Sequence, residues 1–147
     1  MPAKYFEMAQ ARQDGWLNIG EAADASGVSA KMIRHYEEIG LISRAGRTVA
    51  GYRIYRLADV HALRFVRRAR DLGFSLAEIK ALLGLWHDQS RASADVRRLA
   101  RTHIDDLDAR IARMQSMRQA LERLVAHCHG DARPDCPILD DLSRGGA

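Results

Sequence analysis

The sequence predicts a mainly α-helical chain: a winged helix-turn-helix module over residues 17–90, one long helix over 91–127, and a short cysteine-bearing loop and helix over 128–147. Three observations carry that prediction. Two short stretches of helical apolar spacing flank Gly27. Residues 93–125 contain no Gly or Pro and keep an apolar seam in alternating steps of three and four. The two cysteines of the chain, Cys128 and Cys136, stand eight residues apart near its end.

Residues 1–16 show weak periodicity and no clear cap, so they read as an N-terminal extension or frayed helix without an assigned function. From Asn18, the positions Ile19, Ala22, Ala23 and Val28 recur at helical spacing until Gly27 turns the chain. Ser29 suits the N-cap of a second helix through Met32, Ile33 and Tyr36, and Gly40 ends it. Two short helices around a glycine turn are the helix-turn-helix pattern, whose second helix can enter the DNA major groove. Residues 41–56 change character: Gly46 and Gly51 punctuate them, and Tyr52, Ile54 and Tyr55 favour a small hairpin or wing. Helical spacing returns over 59–72 with Val60, Leu63, Val66 and Ala69 and stops at Gly73. It restarts after Ser75, where Glu78 completes a capping box, and runs to about Trp86.

In the long helix Ala100, Ile104, Leu107, Ile111, Met114, Leu121 and Val125 form the seam, interrupted only by Arg118. A stripe this narrow packs against a second long helix, and the economical partner is a second copy, giving a homodimer. The repeat does not choose between parallel and antiparallel helices, and packing back onto the chain's own domain is the competing reading.

A 47% hydrophobic content supports a real core without disulfide staples. No run of 18 apolar residues provides a membrane span, and residues 1–16 lack the apolar centre of a signal peptide, so the cytoplasm is expected. The net charge of +4 is modest, but its distribution is informative. Residues 17–73 hold ten Lys or Arg against six Asp or Glu, while residues 126–147 hold two against four. The basic surplus therefore lies in the helix-turn-helix half, where a polyanion would bind. A cysteine pair in a reducing compartment is more often metal-binding or redox-active than structural. An enzyme is not expected, because neither a Cys-x-x-Cys motif nor a nucleotide-binding glycine loop is present. The twenty or so residues after the long helix are too few for a pocket around a drug-sized ligand. A purely architectural DNA binder has no use for paired cysteines.

Three segments carry a family resemblance: Asn18-Ile19-Gly20-Glu21-Ala22, the run from Ile33-Arg34-His35-Tyr36-Glu37-Glu38 through Ile39-Gly40-Leu41-Ile42, and Gly51-Tyr52-Arg53-Ile54-Tyr55. Together they resemble the MerR family of transcriptional regulators over residues 17–142. The tail Cys128-His129-Gly130-Asp131-Ala132-Arg133-Pro134-Asp135-Cys136-Pro137-Ile138-Leu139 is similar to that of the copper-efflux regulator subgroup.

On the second helix the pattern exposes Lys31, Arg34 and His35 while Met32 and Ile33 pack inward. Arg34 can bond phosphate or guanine bidentately, whereas Lys31 offers a point charge. The resemblance implies contacts from Arg34 and Tyr36; in the wing, Tyr52 and Arg53 are expected to touch the backbone of the flanking duplex, with Arg47 a secondary candidate in the same segment. It also implies that the dimer occupies an over-long promoter spacer, distorts it when the effector binds, and so serves RNA polymerase indirectly.

Gly130 and Pro134 let the chain between Cys128 and Cys136 fold back, so both sulfurs can face one small loop. Two thiolates suit a d10 ion that accepts two-coordination, which argues for Cu(I), Ag(I) or Au(I), whereas Zn(II) usually takes four ligands. The absence of a third thiol disfavours a three-sulfur site within one tail. Pro137 suits the first turn of a helix whose N-cap is Cys136, where free N–H groups favour negative charge. The resemblance implies that Ser93, near the start of the dimer helix, marks a monovalent sensor where divalent sensors carry a cysteine. His127 and His129 remain as ligands for a divalent ion. The alternatives for the cysteines are a reversible disulfide that senses oxidation and two unrelated thiols.

Overall fold

The computed structural model describes residues 7–145, which divide between Arg91 and Ala92 into two compact units. The first contains helix α1 (Met8–Gln13), strand β1 (Leu17–Asn18), helices α2 (Ile19–Ser26) and α3 (Ala30–Glu38), strands β2 (Gly46–Arg47) and β3 (Arg53–Tyr55), and helices α4 (Leu57–Asp71) and α5 (Leu76–His87). The second contains α6 (Ser93–His127) and α7 (Pro137–Ser143). No helix among the described residues is long and apolar enough to cross a membrane.

Local side-chain chemistry sets the helix boundaries. The Asn18 side chain accepts from the Glu21 N–H at 2.8 Å, and Glu21 Oε1 accepts from the Asn18 N–H at 3.3 Å, so two donors without helical partners at the start of α2 are satisfied reciprocally. Gly27, at φ +73°, ends that helix by donating to the Ala23 carbonyl at 2.8 Å. Ser29 Oγ accepts from the Met32 N–H at 3.2 Å and opens α3. The expected Ser75–Glu78 box opens α5, with bonds of 3.2 and 2.9 Å. Helix α4 starts at Leu57, two residues before the expected 59. Asp59 acts there as the reaching-back residue, its Oδ2 accepting from the Arg56 N–H at 2.8 Å.

The wing is part of a three-stranded antiparallel sheet of order β1-β3-β2. Arg47 pairs with Arg53 across the hairpin, and Leu17 pairs with Tyr55 on the other side of β3. The β1 pairing was not expected from the sequence, since a two-residue strand shows no alternation. Gly46 lies at a close approach: a Cβ there would stand 3.0 Å from the Ile54 side chain and 3.3 Å from that of Trp16, so these side chains would have to give by a few tenths of an ångström.

The core of the first unit is built from Ile33 and Tyr36 of α3, Tyr55 of β3, Val60, Leu63 and Val66 of α4, and Ile79 and Leu83 of α5. Burying each such side chain contributes roughly 1.5–3 kcal/mol. Residues 8–13 are a helix docked on this unit rather than a bare extension. Ala11 is fully buried, the Trp16 N–H donates to the Ala11 carbonyl at 2.9 Å, and the Arg56 guanidinium lies 4.6 Å from the Trp16 ring centroid. In the second unit α7 packs back against α6. Along α6, Ile104, Ile111, Met114, Leu121 and Val125 all remain about half exposed or more, and Met117 joins them beside Arg118. Arg118 itself turns to solvent and pairs with Glu122 at 2.9 Å.

Candidate DNA interface and thiol loop

Helix α3 buries Ile33 and Tyr36 and leaves Lys31, Arg34 and His35 exposed on one open face. The spacing dictates this: positions 31, 34 and 35 share a side of a 3.6-residue helix, and 33 and 36 point to the core. Tyr36, implied as a DNA contact by the family resemblance, is 4% exposed and is principally a core residue.

The wing residues differ in how free they are. Tyr52 is 65% exposed at the hairpin tip. Arg47 is exposed and donates from Nη1 to the Gly51 carbonyl at 2.9 Å, which ties the two arms of the hairpin together. Arg53 is largely covered, and its Nε lies 3.3 Å from Glu37 Oε2 in an ion pair without hydrogen-bond alignment.

Glu37, not singled out by its sequence context, is the junction of this region. Its carboxylate is 10% exposed; Oε1 accepts from the Ala45 N–H at 3.2 Å, and Oε2 accepts from the Tyr55 hydroxyl at 3.2 Å. The Tyr55 pKa is pushed up to about 12, first by burial and then by the Glu37 charge and hydrogen bond. The hydroxyl therefore stays protonated and stays a donor. Arg44 was also missed. It lines an open cleft with Glu38, Arg47 and Arg53, so three guanidinium groups gather at the base of the wing. The clue in the sequence was Arg44 and Arg47 flanking a glycine just ahead of the predicted wing.

The thiol loop is pinned at both ends. Cys128 is the C-cap of α6, its N–H donating to the Val125 carbonyl at 3.1 Å, and Cys136 is the N-cap of α7, its carbonyl accepting from the Asp140 N–H at 3.0 Å. Between them Gly130 takes φ +65°, and Asp131 accepts from the Arg133 N–H at 2.9 Å and from Arg133 Nε at 2.8 Å. Both cysteines are half-buried free thiols. Neither side chain is spent on helix capping, since no side-chain cap bond forms at Cys136. Both thiols therefore sit on one fastened loop, and thiolate sulfur is a soft metal donor.

His127 Nδ1–H donates to the Arg123 carbonyl at 2.6 Å within its own helix, and His129 is exposed. Ser93 is exposed at the first position of α6. A 35-residue helix is about 50 Å long. Ser93 and Cys128 of one chain are thus held far apart.

Two family models match the chain: one described as "MerR HTH family regulatory protein" over residues 17–85, and one described as "MerR, DNA binding" over residues 60–124. The chain is 59% identical over 130 residues to the HTH-type transcriptional regulator HmrR of Sinorhizobium medicae (strain WSM419), covering 88% of each chain. It is 60% identical over 131 residues to heavy metal-dependent transcription regulator 2 of Rhizobium meliloti (strain 1021), covering 89% of each. Among solved structures it is similar to the transcription regulator PbrR691 from Ralstonia metallidurans CH34 in complex with lead(II), with a TM-score of 0.74 and 26% identity over 86% of this chain and 98% of that one. With a helix-turn-helix, a sheet wing and a long C-terminal helix in this order, the chain belongs to the MerR family of transcriptional regulators, which are DNA-binding proteins and not enzymes.

Proposed function

We propose that this chain is a cytoplasmic, homodimeric regulator that holds promoter DNA through α3 and the wing and responds to a soft monovalent metal ion at Cys128 and Cys136. Cu(I) is the ion proposed, and Ag(I) and Au(I) share its coordination chemistry. The observation that carries this reading is the pair of free, half-buried thiols on a loop fastened between α6 and α7. Relatives and neighbours named for heavy metals and lead support metal response, and the two-sulfur donor set supports the narrower choice of ion. Cys128 and Cys136 would hold such an ion as thiolates, and the bound unit would carry one net negative charge for the loop to tolerate.

The chain's own residues supply the rest. Lys31, Arg34 and His35 face the groove, while Arg47, Tyr52 and Arg53 meet the backbone. The half-exposed seam of α6 pairs two protomers, in keeping with a family whose regulators bind promoters as dimers. With about 50 Å between Ser93 and Cys128 along one helix, the selectivity role that the resemblance gives Ser93 requires an antiparallel partner that brings its own Ser93 to the loop. Ordering the loop then biases the dimer toward a DNA-distorting state. Because bending or untwisting a site costs roughly 1–6 kcal/mol, the preference between the two states must be of that size.

The test is anaerobic competition for Cu(I) against a strong Cu(I) chelator. The expected result is tight uptake lost in both Cys128→Ser and Cys136→Ser and not displaced by Zn(II). Uptake that survives either substitution, or a response to peroxide alone, overturns the reading. For the DNA half, Arg34→Ala and Arg53→Ala should each flatten the salt dependence of binding by ~0.9 in log–log slope if each removes one phosphate contact.

A further inference from the structure

We propose that Glu37 is a positioning residue that locks the wing to α3, so that the reading helix and the wing engage DNA as one rigid body. The proposal rests on the reading above, in which both elements hold the duplex.

The geometry is that of a strut. Glu37 lies in the last turn of α3, and its carboxylate, 10% exposed, receives contacts from both ends of the wing. The Ala45 N–H, just before β2, donates to Oε1 at 3.2 Å. Arg53 and Tyr55, at the two ends of β3, reach Oε2 at 3.3 and 3.2 Å. Three contacts, from Ala45, Arg53 and Tyr55, thus converge on this one side chain, whereas the backbone N–H groups of Leu41 and Ile42, nearer the helix end, donate to the Tyr36 carbonyl.

The charge matters as well as the shape. Arg53 Nε is buried and has no hydrogen-bond partner, so the Glu37 carboxylate is what compensates it. Without that carboxylate a largely covered guanidinium has reason to leave its place, and burying it unpaired is costly. Placing a carboxylate among Arg44, Arg47 and Arg53 weakens the attraction of this cleft for a polyanion. That arrangement makes sense if holding Arg53 at a fixed position gains more than the extra negative charge loses.

The two effects have opposite signs, and this makes the proposal testable. If Glu37 acts only as a charge, Glu37→Gln removes a repulsion and DNA binding tightens. As a strut, the same substitution weakens binding: glutamine can still accept from the Ala45 N–H, but its amide presents donors where Arg53 needs an acceptor. The probe is a labelled duplex enriched by the wild-type protein from random-sequence DNA, titrated at several salt concentrations. Thermal melts report folding. The expected result is binding about tenfold weaker, the scale of one lost charge-assisted interaction. In the Arg53→Ala background, Glu37→Gln should have little further effect. Glu38→Gln, the exposed neighbour on the same cleft, should leave binding equal or slightly tighter.

Binding by Glu37→Gln equal to or tighter than wild type overturns the proposal, and so does additivity with Arg53→Ala. Should Glu37→Gln fail to fold, Tyr55→Phe removes one arm and keeps the carboxylate. It should weaken binding by a few-fold, and unchanged binding overturns the proposal. Wild-type protein that enriches no duplex, or Arg34→Ala and Arg53→Ala that both bind normally, would sink the DNA reading itself. A normal loss in those two with a gain in Glu37→Gln would sink only the strut.

Discussion

Alkaline pH should weaken the fold through one identifiable group, Tyr55. Its pKa is about 12 in the folded protein against 10.0 when unperturbed, because the ring is fully buried and its hydroxyl donates to a carboxylate. A raised phenol pKa means that the folded state holds the proton more tightly. The stabilisation is therefore complete below pH 10 and is lost as the pH rises from 10 toward 12, since over that range the unfolded chain has released the proton and the folded chain has not. The slope is about 1.4 kcal/mol per pH unit, which makes the total roughly 2–3 kcal/mol. Tyr55→Phe deletes this term alone. At neutral pH it costs about 1–2 kcal/mol for the lost bond to a charged acceptor. The assay is urea unfolding of both proteins from pH 7 to 11.5 at one fixed protein concentration, so that groups common to both cancel in the difference. The wild-type advantage should be flat to about pH 9, shrink above pH 10, and reach zero near pH 11. Curves that stay parallel to pH 11.5 would refute the burial and hydrogen-bond account of Tyr55.

Two further outcomes follow from packing. Ile111→Glu places a charge in the half-exposed seam of α6, twice per dimer, and should weaken self-association by at least about a hundredfold, read by sedimentation at several concentrations; unchanged association would refute the seam as the interface. Trp16→Ala removes the ring that Arg56 covers and that packs near Gly46, and should destabilise the first unit by about 1–3 kcal/mol in denaturant; no change would mean that residues 8–16 are not part of that unit.

The legible parts of the fold were those with local causes. Ser29 and the Ser75–Glu78 box cap helices through residues within three positions of themselves, and the seam repeats every three or four. The placement of Cys136 before Pro137 was readable for the same reason, because proline suits the first turn of a helix. What escaped has distant causes. Strand β1 is two residues long and exists only because Tyr55 and Ile54, nearly forty positions later, supply its hydrogen-bonding edge. Ala11 carries too little apolar character to announce its burial. Glu37 read as one of two adjacent acids on a helix. Only partners eight, sixteen and eighteen residues downstream distinguish it from exposed Glu38.

The length of α6 limits how a signal can travel. Within one chain, the thiol loop and the link to the DNA-binding unit occupy opposite ends of a helix of about 50 Å, and its exposed seam runs between them. If an ion draws Cys128 and Cys136 together as proposed, the change is confined to the last turn of α6, the loop and α7, which packs back on α6. Carrying it along the helix would require the whole rod to shift in register. If the two copies run antiparallel, the loop of one protomer lies instead where the other protomer's α6 begins, beside the residue that follows its DNA-binding unit. The distance then collapses to a side-chain contact, and coupling needs only a change in how two helices pack at each end. In such an antiparallel pair, coupling within the second unit would run between the two copies of α6 rather than along one of them.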